Sequence, residues 1–353
     1  MNKSKIISLV GILFLSCGLK ADILWTQETG WYAEGGLLAD YLPVMNGESA
    51  LDAMNLARNH QERGEFSKAL SLYRSVAEGY SDSILAPEAV FQEGKIYRLQ
   101  KRWNKSYATL QQVLTNYPEY SEFNKVIAEQ FDIAVYLMEG ARTRLFWKVP
   151  GFRDYSLAQD FFEGITSNAP YSEFAPSALM NIAIIAKDES DSDVAVEALD
   201  RLINSYPDHT LAADAYYMLA EINADMVDGA AYDQGSTREA MSYYEDFLIL
   251  YSGSGQVGNA EVGLNKMREV NAQSKLYMAD YYYFNKKNKN AALVFYNETI
   301  TVAPNSESAK IAEKRIAQIK ENIEVKRKKE KRFTIPKILK VPKLFKFNKS
   351  DDE

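Results

Sequence analysis

The stretch Ala69-Leu-Ser-Leu-Tyr-Arg-Ser-Val-Ala-Glu-Gly-Tyr-Ser81 contains the pattern that decides the fold. A small residue is followed four positions later by a large residue, seven positions later by another, and twelve positions later by Pro or Ser. The pattern occurs six times along the chain. The six sets are Ala69/Tyr73/Val76/Ser81, Ser106/Leu110/Val113/Pro118, Ala158/Phe162/Ile165/Pro170, Ala195/Leu199/Leu202/Pro207, Ala240/Tyr244/Phe247/Ser252 and Ala292/Tyr296/Thr299/Pro304.

The spacing has a mechanical meaning. Positions 0, +4 and +7 lie on one face of a helix, so they form a stripe that packs against a neighbour. Pro at +12 cannot continue the helix and ends it. Each stripe lies on the second helix of a hairpin. The first helix of each hairpin is predicted before the stripe, over 53–61, 88–98, 126–139, 177–187, 212–222 and 276–284. No alternating apolar and polar run indicates a sheet. The fold class predicted is therefore all-α, an array of helix hairpins.

Two glycines identify the type of hairpin. Gly64 stands in the turn before Ala69, and Gly94 lies inside the next first helix, as in tetratricopeptide repeats, whose two-helix period is about 34 residues. The steps between successive small residues here run from 37 to 52 residues, so each repeat carries an insertion. The largest insertions are predicted near 140–155, 226–236 and 253–275. The prediction is a tetratricopeptide-like solenoid of about six degenerate repeats with insertions, over residues 50–322.

The first 21 residues have the pattern of an export signal. Lys3 and Lys5 precede an apolar run, Ile6 to Leu15, that is shorter than the ~20 residues needed to span a bilayer. Two processing routes remain open. Cys17 follows the run as the lipid-attachment cysteine of a bacterial lipoprotein does, whereas cleavage after Ala21 would leave an unmodified chain. Either route predicts an exported protein in a Gram-negative-type bacterium. It would lie at the periplasmic face of the outer membrane or free in the periplasm.

Residues 22–49 form an aromatic and glycine-rich segment before the repeats. Trp25, Trp31 and Tyr32 stand there with Gly30, Gly35 and Gly36. One interpretation is that the two tryptophans cap the open end of the first repeat, which would otherwise expose apolar surface. The other is that the segment holds the protein to a partner or to a membrane surface. Both describe an ordered segment rather than a linker.

Residues 323–353 form a basic tail. Residues 326–349 carry a net charge of +10 in a chain of −7, so the remainder is strongly acidic. Five lysines follow a period of three: Lys337, Lys340, Lys343, Lys346 and Lys349. Polyproline II has three residues per turn and would keep these lysines on one edge. The tail could be disordered, adsorb to lipid headgroups or cell-wall polymer, or fold back on the acidic repeats.

Catalytic and metal-binding patterns are not found in the sequence. His60 and His209 have no partner at ligand spacing, and no phosphate-binding loop or nucleophile elbow occurs. The acidic cluster at 188–193 fits a solvated turn with helix-start carboxylates better than a calcium loop. We therefore expect no enzyme activity, no cofactor, no metal and no nucleic-acid partner.

Several stretches carry a resemblance to a known family. Ala69 to Tyr80 and Val126 to Ala134 resemble BamD-type outer-membrane assembly lipoproteins, and Tyr281 to Phe284 followed by Ala291 to Tyr296 is similar to that family's last repeat. The resemblance covers about 50–320. It implies a periplasm-facing scaffold of β-barrel assembly, with N-terminal repeats that receive client segments and C-terminal repeats that contact the barrel-forming partner.

A repeat array of this kind recognises protein segments on the face formed by its first helices. Positions one and four past the small residue of each first helix are expected to point toward the ligand. In the first two repeats the candidates are Arg58, Gln61, Phe91, Lys95 and Arg98. Two functions remain open. The first is a scaffold that binds barrel clients or a barrel partner, and the alternative is an adaptor that coordinates cell-wall or envelope proteins through its tail.

Overall fold

The computed structural model describes residues 22–26, 30–34, 47–142, 144–146, 149–150 and 153–333. Thirteen α-helices occur in this part of the chain. They are α1 (Gly47–Glu62), α2 (Phe66–Gly79), α3 (Leu85–Leu99), α4 (Trp103–Asn116), α5 (Phe123–Met138), α6 (Tyr155–Asn168), α7 (Ala175–Asp188), α8 (Ser192–Ser205), α9 (Ala212–Asp225), α10 (Gly235–Leu250), α11 (Val257–Asp280), α12 (Lys289–Val302) and α13 (Glu307–Phe333). Helix α11 continues into one π-helical turn, Tyr281–Asn285.

The predicted stripes are the buried faces of the second helices. All six small residues, including Ser106, have no exposed surface, and the residues four and seven positions later, including Thr299, are buried too. These stripes lie on α2, α4, α6, α8, α10 and α12, each following its first helix. The fold class, all-α with about six tetratricopeptide-like helix hairpins, is confirmed.

Each second helix ends in the same way. The residue before the closing Pro or Ser donates its backbone N–H to the carbonyl of the +7 residue, at N···O distances of 2.8–3.3 Å. These donors are Tyr80, Tyr117, Ala169, Tyr206, Tyr251 and Ala303. The bond satisfies one carbonyl that the helix end would leave unpaired. The residue before the closing Pro or Ser is therefore the C-cap of each second helix.

Small residues allow the helices within a hairpin to approach closely. In the second repeat Ser106 Oγ donates to the Gly94 carbonyl at 2.7 Å. A Cβ at Gly94 would lie 2.7 Å from Leu110 Cδ2, which is closer than side-chain atoms pack. Glycine at 94 and a small residue at 106 are therefore a packing requirement of this hairpin.

The chain forms two compact units, Met1–Ala215 and Tyr216–Glu353. The first contains α1 to α8, and α9 crosses the boundary. In the second, a core cluster joins the end of α11 to α12 and α13, and it includes Leu276, Tyr296, Ile316 and Ile319.

The prediction for the last insertion is wrong. Residues 253–275 were expected to be an insertion before a first helix at 276–284, but α11 runs from Val257 to Asp280. The insertion lengthens the helix instead of forming a loop. This segment contains no proline, and Ala260, Leu264 and Met267 extend its buried face toward the N-terminus.

Two short strand pairs also occur, although no sheet was expected. Strand β1 (Asp22–Thr26) pairs antiparallel with β2 (Gly30–Glu34), and β3 (Arg144–Phe146) pairs with β4 (Val149–Pro150). The second pair occupies the insertion predicted near 140–155. A pair of strands this short is held by backbone bonds and local contacts, so it leaves no long alternating pattern in the sequence.

Strand β2 packs on the first repeat. The Trp31 ring is 8 % exposed and belongs to the core cluster of α1 and α2, with Met54 and Tyr73. Its backbone N–H donates to Asn55 Oδ1 at 2.6 Å, and Asn55 Nδ2 donates back to the Trp31 carbonyl at 3.3 Å. Trp31 thus covers apolar surface of the first repeat, as the capping interpretation describes.

The last helix differs from the predicted tail boundary. Helix α13 continues to Phe333, although residues 323–333 were assigned to a disordered or polyproline II tail. These eleven residues contain no glycine or proline, and most of them are Lys, Arg or Glu, which favour helix. In the described part of the chain, no helix is both long enough and apolar enough to cross a bilayer.

Candidate functional site

Arg58 and Gln61 lie on α1 and make contacts within the first repeat. Arg58 Nε donates to Glu62 Oε1 at 3.0 Å, one helical turn away. The buried Tyr73 hydroxyl donates to Gln61 Oε1 at 3.0 Å, which links α1 to α2. Gln61 therefore uses its carbonyl oxygen inside the hairpin.

Phe91, Lys95 and Arg98 come together on α3. The Phe91 ring is only 5 % exposed, with Lys95 Nζ 5.4 Å from its centroid and the Tyr120 ring 6.4 Å away. This corrects the expectation that Phe91 offers its ring to a ligand. The Phe91 ring packs beneath the first-helix surface and contributes little exposed area to it.

The two cations of this group are paired with a carboxylate on α5. Arg98 Nε lies 2.7 Å from Glu129 Oε2, and Lys95 Nζ lies 4.0 Å from Glu129 Oε1. Burial raises the pKa of Glu129, and the nearby Arg98 and Lys95 oppose that rise. The structure thus places three predicted residues side by side, but their charges join α3 to α5.

An apolar surface opens further along the same first-helix face. Between α5 and α7 lies an open cleft of about 490 Å³, which we name the α5–α7 groove. Its apolar lining consists of Phe131, Val135, Met138, Met180 and Leu211. All of these residues belong to the first unit, so the groove is complete within it.

The groove has a firm apolar floor and polar edges. The Phe131 ring packs against Phe162 at 5.5 Å and Phe174 at 5.4 Å between centroids. Ser177, Asn181 and Glu139 complete the lining, and Glu139 is exposed. Two methionines in the wall can adapt to side chains of different shape. The arrangement suits apolar side chains of a peptide whose other face remains polar.

Part of this groove could have been found from the sequence. Val135 and Met138 stand one and four positions past Ala134, the small buried residue of α5. The positional rule that selected candidates in the first two repeats therefore selects these two residues in the third. Met180 and Leu211 follow no such rule, because they reach the groove only through the packing of α7 and the start of α9 beside α5.

The histidines and the acidic cluster have structural roles. His60 Nδ1 lies 2.9 Å from Glu65 Oε2, and His209 Nδ1 accepts the Leu211 backbone N–H at 3.2 Å. Asp191 caps α8 by accepting the Val194 N–H at 3.2 Å, which confirms the helix-start interpretation of the cluster for this residue. Within the described ranges, no group of three or more His, Cys, Asp or Glu side chains could hold a metal ion.

Several sequence-based candidates lie outside the described residues. They are Cys17, the cleavage site at Ala21, and the lysines of the tail, Lys337, Lys340, Lys343, Lys346 and Lys349. Their roles stay predictions.

Comparison with known families gives two matches. The family described as YfiO, outer membrane lipoprotein, matches residues 152–333, and a tetratricopeptide repeat matches residues 88–120. The longer match covers more than half of the chain. No curated protein matches.

Solved structures with similarity to the chain include three tetratricopeptide-type or related proteins. MamA from Desulfovibrio magneticus RS-1 has 14 % identity and a TM-score of 0.31, over 59 % of this chain and 98 % of its own. PilF of Pseudomonas aeruginosa has 13 % identity and a TM-score of 0.28, over 76 % and 98 %. The C-terminal part of a tetratricopeptide protein from Cytophaga hutchinsonii has 13 % identity and a TM-score of 0.34, over 77 % and 91 %.

Proposed function

This chain belongs to the YfiO family of outer membrane lipoproteins, and we propose from that premise that it serves outer-membrane β-barrel assembly as a scaffold. Its tetratricopeptide repeats form a protein-interaction module. In the proposed function, the α5–α7 groove binds segments of barrel clients or of a barrel-forming partner on the periplasmic side of the outer membrane.

The α5–α7 groove is the observation that carries the proposal. Strands of membrane barrels alternate apolar and polar residues, so an extended segment presents one apolar face and one polar face. The apolar face fits against Val135, Met138 and Met180, and the polar face meets solvent and the Ser177–Asn181 edge. Such a segment would find both kinds of surface in one place before it enters the membrane.

Site-specific photocrosslinking tests the groove. A benzoylphenylalanine residue is placed at Val135 or at Met138, and crosslinked partners from intact envelopes are identified by mass spectrometry. Glu197 on α8 provides the matched control, because it is exposed and does not line the groove. We expect barrel-forming proteins to be crosslinked from both groove positions and not from Glu197.

Two results would contradict this function. Crosslinks of equal yield at Val135, Met138 and Glu197 would show that the groove does not select a ligand. Wall-associated proteins recovered from the groove, with no barrel protein, would favour the adaptor function instead. A charged substitution, Met138→Glu, should reduce the crosslink from Val135 if apolar contact drives binding.

The adaptor function has one observation in its favour. Helix α13 carries a run of four exposed cations near its end, Lys326 to Lys329. Basic helical segments of this kind adsorb to anionic lipid or polymer surfaces. Deleting residues 334–353 and measuring salt-sensitive sedimentation with membranes tests the tail. Unchanged sedimentation would exclude surface attachment by the deleted lysines.

A further inference from the structure

The second unit contains a cleft with apolar walls and a few charged side chains that the proposed function does not use. It lies among α10, α11 and α12 and has a volume of about 570 Å³. We name it the α10–α12 cleft. Its main lining residues are Arg238, Asn271, Lys275, Val294, Glu298 and Val302.

A buried amide with a weak partner stands in this lining. Asn271 is 9 % exposed, and its Nδ2 donates to the Met241 sulfur at 3.8 Å. A thioether is a weak acceptor, and a buried donor without a strong acceptor is costly. The amide nitrogen is therefore positioned to donate to a better acceptor that enters the cleft.

The charges in the cleft favour an anion as that acceptor. Lys275 Nζ pairs with Glu298 Oε2 at 2.9 Å. The guanidinium of Arg238 makes no hydrogen bond or ion pair with the described residues, and Arg238 is exposed where it lines the cleft. Two cations and one carboxylate thus line the cleft, which gives the lining a net positive charge in an acidic protein. Arg recognises carboxylates with paired, directed N–H groups.

The walls of the cleft favour an apolar side chain in the ligand. Val294 is 55 % exposed, and Val302 lines the same cleft. We propose that the α10–α12 cleft binds the carboxylate of a peptide whose neighbouring side chain is aliphatic. Arg238 holds the carboxylate, Asn271 donates to it, and the valines contact the side chain. The carboxylate can be a chain terminus or an Asp or Glu side chain, since both present the same two oxygens.

Three short peptides separate these sources. The first, acetyl-Ala-Val-Leu, has a free terminal carboxylate, and the second has the same sequence with an amidated end. The third, acetyl-Val-Glu-Leu amide, carries only a side-chain carboxylate. Each is titrated into the purified chain labelled with ¹⁵N-asparagine, and the Asn271 side-chain amide signal reports binding. We expect saturable shifts with one or both carboxylate peptides and at least about tenfold weaker binding of the uncharged amide.

Variants test the assignment of residues. Arg238→Gln should weaken the binding of the carboxylate peptides about tenfold, because the substitution removes the positive charge but keeps N–H donors of similar reach. Arg268→Gln on α11 is the matched control, since Arg268 pairs with Glu245 at 2.8 Å and does not line the cleft. Thermal unfolding of both variants checks that the fold is intact.

Each outcome decides the proposal. Tighter binding of the free-ended peptide assigns the site to chain termini, and tighter binding of the Glu peptide assigns it to side-chain carboxylates. Equal binding of all three peptides, no binding of either carboxylate peptide, or unchanged affinity in Arg238→Gln would overturn the proposal. The experiment does not involve the α5–α7 groove, so failure of the barrel-assembly function leaves its result unaffected.

Discussion

Arg98 on α3 reaches Glu129 on α5, with Nε 2.7 Å from Oε2. The same guanidinium lies 3.6 Å from Asp132. The position of Arg98 in the sequence predicted a contact with a ligand. In the structure, Arg98 instead joins two adjacent repeats. The charges on the first-helix face are paired at the second repeat, and an apolar cleft lies between α5 and α7.

A double-mutant cycle measures the link between these repeats. Arg98→Ala and Glu129→Ala, singly and together, should show a coupling of about 1–2 kcal/mol in the free energy of unfolding, because both side chains are largely buried. The exposed Lys310–Glu307 pair on α13 is the control and should couple by less than about 0.5 kcal/mol. Equal couplings for the two pairs would show that burial does not strengthen the link.

Glycine at position 94 is expected to be required by packing. Gly94→Ala would place a Cβ 2.7 Å from Leu110 Cδ2, and overpacking of this kind costs about 1–3 kcal/mol. The gain in helix propensity offsets only part of this, about 1 kcal/mol. Urea unfolding measures the change.

Gly79→Ala is the control for that substitution. A Cβ at Gly79 meets no atom within 4 Å. The free energy of unfolding of this variant should therefore lie within about 0.5 kcal/mol of that of the parent chain. If Gly94→Ala were as stable as Gly79→Ala, the close approach of α3 and α4 would be absent in solution.

Glu88 should make stability depend on pH. The carboxyl is buried on α3, where Gln92 Nε2 donates to it at 2.7 Å and the Tyr120 hydroxyl donates to its other oxygen. Burial raises its pKa above the ordinary 4.5, although these two hydrogen bonds oppose the rise. The folded chain therefore holds a proton that the unfolded chain releases above pH 4.5.

The sign of the pH effect follows from that proton. The free energy of unfolding should rise as the pH falls through the raised pKa of Glu88 toward 4.5, by at most about 1.4 kcal/mol per pH unit. This contribution of Glu88 to stability should be lost as the pH rises. Denaturant titrations between pH 5 and 8, compared with Glu88→Gln, measure this slope. Glu78→Gln, at an exposed position on α2, should keep the slope of the parent chain. A parent slope identical to that of Glu88→Gln would contradict the expectation.

Asn55 is expected to hold the N-terminal strand pair on the first repeat. Asn55→Ala removes both hydrogen bonds to the Trp31 backbone and should cost about 1–3 kcal/mol, because a buried peptide group loses its partners. Limited proteolysis should then cut before residue 47 faster than in the parent chain. Asn59→Ala, at an exposed position of the same helix, should leave the rate unchanged. Equal cleavage of both variants would mean that Trp31 is held by ring packing alone.

Sequence spacing predicted the repeats well because it reports a purely local geometry. Ala69, Tyr73 and Val76 must share one face of any helix, and that face must be buried somewhere. The same reasoning placed the small residue at each close crossing, as at Ser106 beside Gly94. It failed for 253–275, since a helix that continues through an insertion preserves the same periodicity as a helix that begins after it.

The candidate site could be predicted only in part, for a different reason. The positional rule reaches Val135 and Met138, yet it also selects Lys95 and Arg98, whose charges are paired. Phe91, which was expected beside them, has a buried ring. A rule of spacing states which way a side chain points. It does not state what the neighbouring helix places opposite.

The sequence by itself determined the helix hairpins, their number, the residues of every buried stripe and the place where each second helix ends, because these depend on contacts between residues a few positions apart. Only the tertiary structure decided which parts of the first-helix face are free. Glu129 stands 31 residues from Arg98, and Met180 stands 45 from Val135. Whether such distant residues neutralise a cation or open an apolar groove depends on how consecutive repeats pack, which no local pattern encodes.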